Sequence, residues 1–501
     1  MKQFIKTNLL LLALLLPTLT YAYGFEVDGI YYKINGNEAA VSYNAYSGSV
    51  VIPATVTYSG TTYSVTSIGD EAFYGCTGLT NIVIPNSVNS IGDEAFYGCT
   101  GLTNIVIPNS VTSLGYRAFG SCKGLTSINI GNSVTSISDE AFSGCTGLTS
   151  INIPNSVTSI GSWAFSDCTG LMSIVIPNSV TSLGGRAFHN TAWYKNQPDG
   201  LVYAGLFAYA YKGAMPSGTS IALKEGTLGI AKIAFYYCRG LTSIVIPNSV
   251  TFIDGQAFHG CSSLTSINIP NSVTTIGYRA FEGCTGLTSI NIPNSVTSID
   301  SGVFGGCTGL TSINIPNSVT IIDNGAFTGC SGLTSINIPN SVTSIGSWAF
   351  SDCTGLMSIV IPNSVTSIDG WAFAYCSGLT DVYCYIADLS RISSGNKQFY
   401  LGKGDYSGRA LHVLQGTADA YRADENWYPY FGKIVEDLMP ETPFGDVNGD
   451  REVNIADVNA VVNMILGGND DTTAADVNGD DEINIADINA LIDIILSGNM
   501  N

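Results

Sequence analysis

The most chemically distinctive residues of this 501-residue chain are carboxylates that repeat near its C-terminus. The segment DVNGDREVNIAD occupies residues 446–457, and DVNGDDEINIAD follows it at residues 476–487. Oxygen ligands at alternating positions of a tight turn converge on one hard cation, and Ca²⁺ prefers such ligands. The duplicated pattern therefore predicts two calcium-binding loops.

The two loops offer matching ligand positions. Positions 1, 3, 5 and 12 carry candidate side-chain ligands, position 7 would contribute its backbone carbonyl, and position 9 would act through a water molecule. At positions 1, 3, 5, 7, 9 and 12 stand Asp446, Asn448, Asp450, Glu452, Asn454 and Asp457 in the first loop, and Asp476, Asn478, Asp480, Glu482, Asn484 and Asp487 in the second. The apolar segments NAVVNMIL and NALIDIIL follow the loops, and each predicts a helix.

Each loop departs from the standard EF-hand loop at two points, the position of its glycine and the residue at position 12. Gly449 and Gly479 stand at position 4 instead of 6, and position 12 is Asp instead of Glu. The doubled loop–helix pattern of residues 444–501 resembles a type I dockerin, in which two such halves pair without the entering helices. The resemblance implies bound calcium and a cohesin-like module on a partner protein.

The same resemblance assigns much of the partner choice to loop positions 10 and 11. These positions hold Ile455 and Ala456 in the first loop and Ile485 and Ala486 in the second. Many dockerins have hydroxyl residues there, so this chain departs from that pattern. An apolar pair that is the same in both halves suits a symmetric docking surface with two orientations.

Charge is concentrated in this C-terminal segment. Residues 444–501 contain twelve of the 39 acidic residues and one basic residue, Arg451, and the whole chain has a net charge of −20. Binding of nucleic acid needs clustered Lys and Arg, so this balance argues against a nucleic-acid partner. We expect the acidic segment to be a separate domain.

The N-terminus has the composition of an export signal. Lys2 and Lys6 precede a short apolar run, Leu9 to Leu16, and Ala22 offers a small residue for cleavage. The run is shorter than the roughly 20 apolar residues of a membrane-spanning helix. The sequence therefore predicts a signal peptide at residues 1–22, a secreted or cell-surface location, and no transmembrane anchor.

A 23-residue repeat dominates the middle of the chain. Its pattern, I-x-x-x-A-F-x-x-C-x-x-L-x-x-I-x-I-P-x-x-V, occurs in thirteen turns between residues 64 and 384. The L-x-x-I-x-I part predicts one short strand per turn that ends at Pro, and the A-F part predicts a helical or 3₁₀ turn on the opposite side. No single turn can bury its own apolar residues, so the turns must stack with their strands in a parallel ladder.

Twelve of the thirteen cysteines occupy one position of the repeat, from Cys76 to Cys376. A constant interior position favours free thiols that act as small buried apolar side chains. Bridges between neighbouring turns are the alternative, because bridged Cα atoms lie about 4.4–6.8 Å apart and the repeat spacing allows that. Zinc is disfavoured, since the ladder lacks His partners and CxxC pairs.

The repeat resembles the 23-residue leucine-rich repeat of bacterial surface antigens, the BspA-like group, over roughly residues 60–384. The resemblance implies an α/β solenoid with a parallel strand ladder on its inner face. It also implies a cell-surface role in adhesion or ligand binding. The expected fold class is thus a leucine-rich repeat solenoid with a β-rich N-terminal cap and a small α-helical calcium-binding domain.

The remaining segments frame the repeats. We expect residues 23–63 to form the β-rich cap, residues 385–439 a C-terminal cap, and residues 440–443 (PETP) a stiff linker to the domain at 444–501. An irregular, Tyr-rich insertion at about 189–229 interrupts the repeats. It is either an aromatic binding loop or a packed, atypical turn.

Two surfaces of the predicted solenoid differ in character. The exposed strand positions are mainly Thr, Ser, Asn and Val, and they carry almost no charge and no aromatic residue before Asp381 and Tyr383. Aromatic residues instead precede the repeat Ala, at Tyr116, Trp163, Tyr278, Trp348 and Trp371. These form either a surface aromatic stripe or partial packing over the next turn.

No catalytic pattern stands out. The three histidines, His189, His259 and His412, lie in no recognisable nucleophile motif, and the chain contains no GxSxG, HExxH or phosphate loop. The sequence therefore favours an exported, non-catalytic binding protein with a solenoid for adhesion or macromolecule binding and a calcium-dependent docking tail. The alternatives are an accessory glycan-binding component of a polysaccharide-degrading assembly and a structural spacer.

Overall fold

The computed structural model describes residues 24–394, 397–400, 405–439, 445–448, 453–467, 474–478 and 482–497. The predicted signal peptide (1–22) and linker (440–443) lie outside these ranges, as do the candidate calcium ligands Asp450, Glu452 and Asp480. The chain divides into two compact units between Gln197 and Pro198. Each unit is described by itself.

Most repeats contain two strands instead of the one predicted. The first strand carries the leading Ile or Leu and pairs in parallel with its counterparts, so that Leu114 lies opposite Ile91 and Ile137. These first strands are Thr61–Ile68, Ser90–Ile91, Ser113–Leu114, Ser136–Ile137, Ser159–Ile160 and Ser182–Leu183 in the first unit, and Gly229–Ile230, Phe252–Ile253, Thr275–Ile276, Ser298–Ile299, Ile321–Ile322, Ser344–Ile345 and Ser367–Ile368 in the second. A strand of two residues leaves no alternating pattern in the sequence, which explains why it was not predicted.

The second strand is the predicted one, and its alternation is as expected. Ile82 is buried and Val83 is exposed, because successive side chains of a strand point to opposite faces. These strands are Leu79–Val83, Asn104–Val106, Ser127–Asn129, Ser150–Asn152 and Ser173–Val175 in the first unit, and Leu241–Val245, Ser358–Ile361 and Asp381–Cys384 in the second. In the intervening turns the ladder is reduced to single bridges that join Asn268, Asn291 and Asn314.

The A-F segment is neither an α-helix nor a 3₁₀ helix, which corrects the prediction. We call this six-residue segment, residues 71–76 in the first repeat, the Phe turn. The N–H groups of Glu71, Phe73 and Gly75 donate to carbonyls of the next repeat at 2.7–2.8 Å. The three intervening N–H groups donate to the carbonyl three residues earlier. Alternate donors therefore close the turn and join it to its neighbour.

Two positions of every Phe turn have a left-handed backbone. They are the residue before the repeat Ala and the residue four further on, and their φ angles lie between 49° and 72° in all thirteen repeats. Eleven of the thirteen residues at the first position are not glycine, although a left-handed conformation costs such residues about 1–2 kcal/mol. The hydrogen bonds between repeats offset this cost.

The core of each unit is a stack of Phe rings. Successive rings lie nearly parallel with centroids 4.9–5.8 Å apart. In the first unit, Tyr46 of the N-terminal cap covers one end of the stack at 4.6 Å from Phe73, and Trp193 meets the other end edge-on at 5.3 Å from Phe188. The stack therefore ends on aromatic side chains and not in water.

The cysteines line the core beside the Phe stack. All thirteen are buried free thiols. From the second cysteine of each array onward, Cys99 and Cys261, the thiol donates to the carbonyl of the Phe one repeat earlier. Cys284, for example, donates to Phe258 at 3.1 Å. A small, weakly donating side chain suits this position, because the same carbonyl also accepts the N–H that closes its own turn.

The cap and the insertion are both folded. The N-terminal cap contains strands Phe25–Val27, Ile30–Asn35, Glu38–Val41, Gly48–Val51 and Thr55–Tyr58. The first unit ends with the short helix Ala192–Lys195, whose N-cap Thr191 accepts from the Tyr194 N–H at 3.0 Å. The second unit begins with an antiparallel hairpin, Gly200–Ala204 and Phe207–Lys212, followed by strand Thr219–Ala222.

The repeat continues past residue 384 in a degenerate form. Ser393–Ser394 pairs with the first strand of the last regular repeat, and Phe399 stacks on Phe373 at 5.1 Å. Trp427 and Phe431 then cover Phe399. The other elements of this region are the 3₁₀ turns Leu389–Arg391 and Tyr428–Tyr430, the helix Ala418–Ala423, and the strands Ala410–Leu414 and Lys433–Leu438.

Arg409 completes this end of the solenoid. Its buried guanidinium donates to the carbonyls of Leu379 at 2.9 Å and Phe399 at 3.0 Å, and also to the carbonyl of Cys376. A side chain with several fixed donors thus serves carbonyls of the terminal turns.

The tail contains two helices, Ile455–Gly467 and Ile485–Ser497, one after each predicted loop. Their inner faces pack together through Val458, Val461 and Leu491. Within the described ranges, every helix is too short or too polar to cross a lipid bilayer.

The thiol ladder makes a prediction about cysteine reactivity. Burial raises the pKa of Cys284 to about 12, so only about one thiol in ten thousand would be ionised at pH 8. We expect iodoacetamide to modify fewer than about one thiol per native chain at pH 8 and all thirteen after denaturation, as measured by intact mass. Rapid labelling of the native chain, or thiols that stay blocked after denaturation until a reductant is added, would contradict the buried free ladder.

Candidate functional site

The first acidic loop is tied together by its twelfth residue. Asp457 is completely buried and accepts three backbone N–H groups. One carboxylate oxygen accepts from Val447 at 2.8 Å and Asn448 at 3.1 Å, and the other accepts from Asn454 at 2.8 Å. The carboxylate of position 12 thereby joins the start of the loop to the start of the helix.

The second loop repeats this geometry. Asp487 is also completely buried, and it accepts from Val477 at 2.8 Å, Asn478 at 3.1 Å and Asn484 at 2.8 Å. In both loops the Asn at position 9 caps the helix, since its side-chain oxygen accepts from the N–H two residues later. The two halves therefore adopt one local structure, as their matching sequences predicted.

The donor chemistry of the loops fits calcium. Asp446, Asp457 and Asp487 are buried carboxylates, and a buried charge is costly unless a counter-charge or strong hydrogen bonds compensate it. Among the described residues, the bonds of Asp457 and Asp487 are to backbone N–H groups and not to Lys or Arg. In each of these two carboxylates one oxygen accepts two N–H groups and the other accepts one, so the second oxygen keeps a lone pair with which to bind a hard cation.

The predicted ligands are only partly visible. Asp446, Asn448, Asp457, Asp476, Asn478, Glu482 and Asp487 are described, whereas Asp450, Glu452 and Asp480 are not. Within the described ranges, no three acidic, His or Cys side chains stand close enough together to hold a metal. The structure thus describes the two ends of each loop, and the complete ligand set stays a prediction.

Each helix also presents an exposed apolar stripe. Ile455 is 67% exposed and Ile485 is 72% exposed, which keeps both predicted partner-binding residues accessible. Ala456 is exposed as well, and Ala486 is half-buried. Eleven residues further along each helix, which is about three turns, Leu466 and Leu496 are 79% exposed on the same side.

The sequence prediction missed the far ends of these stripes. Val462 and Ile492 lie between the ends of their respective stripes, and Ile492 is itself exposed. The signal was present, because an aliphatic residue recurs at the i, i+7 and i+11 positions in both halves while other apolar positions fill the core. The candidate docking surface therefore comprises Ile455, Val462 and Leu466 and, in the second half, Ile485, Ile492 and Leu496.

The histidines form no recognisable catalytic constellation. His412 lies on the last strands, with Nδ1 2.7 Å from Asp437 and Nε2 3.2 Å from Asp381, and its ring stacks on Tyr383 at 4.5 Å. Both ring nitrogens thus face carboxylates. His189 contacts the ring of Trp163 edge-on at 5.7 Å.

The fold and the tail together define a class of protein, a leucine-rich repeat solenoid with a doubled loop–helix docking module. The model of the BspA type leucine rich repeat region matches residues 66–194, 228–321 and 297–398, and the model of the dockerin type I domain matches residues 444–496. The chain therefore belongs to the BspA-type leucine-rich repeat family and carries a type I dockerin domain. Domains of the latter type bind calcium and dock onto cohesin modules.

Solved structures of bacterial repeat proteins are similar to this chain. A leucine rich cell surface protein from Faecalibacterium prausnitzii is 25% identical, covers 76% of this chain and 99% of its own, and has a TM-score of 0.25. A leucine-rich repeat protein from Bacteroides ovatus is 26% identical, with coverage of 68% and 95% and a TM-score of 0.27. One from Eubacterium ventriosum is 24% identical, with coverage of 69% and 92% and a TM-score of 0.36. A search of curated proteins gives no significant match.

The geometry of the loops makes a prediction about metal binding. We expect the whole chain to bind two calcium ions, and Asp457→Asn or Asp487→Asn each to remove about one of them, because each Asp organises one loop. Equilibrium dialysis with ⁴⁵Ca measures the stoichiometry. Asp493→Asn is the matched control, since this exposed acid lies on the second helix outside the loop. Equal loss in the control, or two ions bound by Asp457→Asn, would contradict the assignment.

Proposed function

We propose that this chain is an exported, non-catalytic binding protein. Its calcium-loaded tail docks onto a cohesin-like module of a partner protein, and its solenoid presents an extended surface to a macromolecular ligand at the cell surface. The predicted signal peptide at residues 1–22 supports export. The ligands that we propose for calcium are the oxygen donors of the two loops: Asp446, Asn448, Asp450, Glu452 and Asp457, and Asp476, Asn478, Asp480, Glu482 and Asp487.

The observation that carries this proposal is the duplicated apolar stripe beside the two loops. Exposed Ile and Leu side chains at matching positions of two helices favour association, because burying them removes apolar surface from water. Position 12 of each loop holds the N-terminus of its helix through backbone hydrogen bonds, so calcium binding and the placement of Ile455 and Ile485 are coupled.

The equivalence of the halves has a consequence for docking. The same apolar pair precedes the same buried Asp in both, so a partner that recognises Ile455 and Ala456 would also recognise Ile485 and Ala486. One partner surface can then accept the tail in either of two orientations. Loss of one half should leave the other able to bind.

The solenoid is the ligand-binding part of the proposed protein. Its second-strand surface repeats Asn and Val, as at Val245 and Asn268, and carries few charges. It also has few of the aromatic and Arg residues that dominate protein interfaces. Adhesion through this surface is one candidate role. The second candidate, an accessory role in a polysaccharide-degrading assembly, is favoured by a groove on the Phe-turn side that is described below.

The docking proposal predicts a difference between single and double variants. Ile455→Asp or Ile485→Asp should each weaken capture of the calcium-loaded chain by immobilised type I cohesins by less than about threefold, whereas the double variant should lose about a hundredfold or more. Surface plasmon resonance against a panel of cohesin modules measures this.

The matched control is Ile321→Asp, because Ile321 is an exposed isoleucine of the solenoid, 44% accessible. It should leave capture unchanged. Failure of the whole panel to capture the chain in calcium, or a double variant that binds as well as the unaltered chain, would refute docking through these stripes.

A further inference from the structure

A run of glycines forms the floor of a groove on the Phe-turn side of the second unit. The second left-handed position of four successive repeats is Gly260, Gly283, Gly306 and Gly329, with φ between 66° and 72°. The groove itself has a volume of about 510 Å³, and Gly260, Gly283 and Gly306 are among the residues that line it, from Tyr237 to Thr328.

Backbone conformation alone does not explain these glycines. Other repeats place side chains at the same position with φ between 53° and 60°, namely Ser121, Asp167, Asn190, Tyr237, Asp352 and Tyr375. The position therefore tolerates ordinary residues at a modest cost. Gly260 lies under the ring of Tyr237, where a Cβ would not fit, whereas Gly283, Gly306 and Gly329 provide a surface without side chains that ends at Asp352 in the next repeat.

An aromatic and basic cluster closes one end of the groove. The Tyr237 ring is 49% exposed, and the guanidinium of Arg239 lies 5.3 Å from its centroid. His259 contacts Tyr237 edge-on at 5.1 Å and stacks on Tyr236 at 4.9 Å. These contacts hold the ring of Tyr237 in place at the mouth of the groove.

Polar groups with unused hydrogen-bonding capacity line the same groove. Beneath its surface, Nδ1 of His259 lies 3.1 Å from Oε2 of Glu282, which is also 3.6 Å from Nε of Arg279, so these buried atoms form an ion-pair cluster. The hydroxyls of Ser262 and Thr328 also line the groove. Each hydroxyl can donate and accept, and a ligand that carries hydroxyl groups would bond to them.

The backbone of the floor cannot bind an extended peptide as an added strand. The N–H groups of Gly260, Gly283 and Gly306 all donate to the next repeat at 2.7 Å. Strand addition depends on main-chain donors and acceptors that lack partners, so the floor lacks its donors. A ligand must instead use ring stacking and side-chain hydrogen bonds.

We propose that this groove binds a neutral polysaccharide chain. A sugar ring has one apolar face, which would stack on Tyr237, and a rim of hydroxyl groups, which would bond to the partly exposed Glu282 and to the Ser262 and Thr328 hydroxyls. Glu282 is paired with Arg279 at 3.6 Å, and the chain carries a net charge of −20, so a neutral polymer is favoured over an anionic one. This names the ligand class of the solenoid and so rests on the proposed function.

The glycine floor gives a selective test. Gly306→Asn adds a side chain to the floor in a conformation that Asn190 already adopts, and its Cβ would meet only Gly283, at 3.8 Å or more. We expect at least one of starch, arabinoxylan, mixed-linkage β-glucan and glucomannan to retard the whole chain in native affinity electrophoresis. Gly306→Asn and Tyr237→Ala should each weaken this binding by about tenfold or more.

Gly98→Asn is the matched control, because Gly98 has the same left-handed backbone in the first unit and a similarly open surrounding. It should bind as the unaltered chain does. Absence of retardation by all four polymers, or retardation that Gly306→Asn leaves unchanged, would overturn the proposal. A Gly306→Asn variant that lost binding to a protein ligand but still bound a glycan would also overturn it. Calcium-dependent capture by cohesin, measured on the same variants, should stay unchanged, which separates failure of the groove from failure of docking.

Discussion

The structure of the solenoid depends on hydrogen bonds that join each Phe turn to the next. Alternate N–H groups, such as those of Phe258 and Gly260, have their acceptors in the following repeat. These bonds persist even where the spacing changes, because Phe373 and Tyr375 still donate to Gln398 and Tyr400 in the longer last turn. The Phe rings and thiols then stack at the same spacing, and neither array could form in one repeat alone.

This constraint also determines which surface is free to vary. Both left-handed positions of the Phe turn use their backbone to join repeats, and the non-glycine residues at the first position are not buried. Glu, Arg, Gln, Ile and Trp all occur there, whereas the second-strand surface repeats Asn and Val. Diversity of side chains, and with it the capacity to recognise a ligand, is therefore concentrated on the Phe-turn side. The aromatic residues before the repeat Ala belong to this surface, and Trp348 and Trp371 stack on each other at 5.0 Å.

Much of the fold and part of the site could be predicted from the sequence. The sequence shows the 23-residue period, the second strand, the buried cysteine position and the paired acidic loops, because each of these patterns is repeated. The left-handed residues could not be predicted, because Glu71 or Trp163 has no local preference for φ > 0 and adopts it only through hydrogen bonds to another repeat. The degenerate turn around Phe399 was missed because it follows Phe373 by 26 residues instead of 23 and because Gln398 replaces the repeat Ala. The groove was missed because glycine has no side chain that would mark a site in the sequence. Glycines of successive repeats form one surface only when the turns are stacked.

The most direct test of the central claim is residue-resolved amide hydrogen exchange on the native chain. If the Phe turns are joined as described, the amides of Phe258, Phe281 and Phe304 should be protected to the same degree as the first-strand amides, by about a thousandfold or more. The N–H groups at left-handed positions, such as Gly283, should share that protection. Exchange of these amides within seconds, while the strand amides stay protected, would show that the Phe turns are surface loops and would contradict the account.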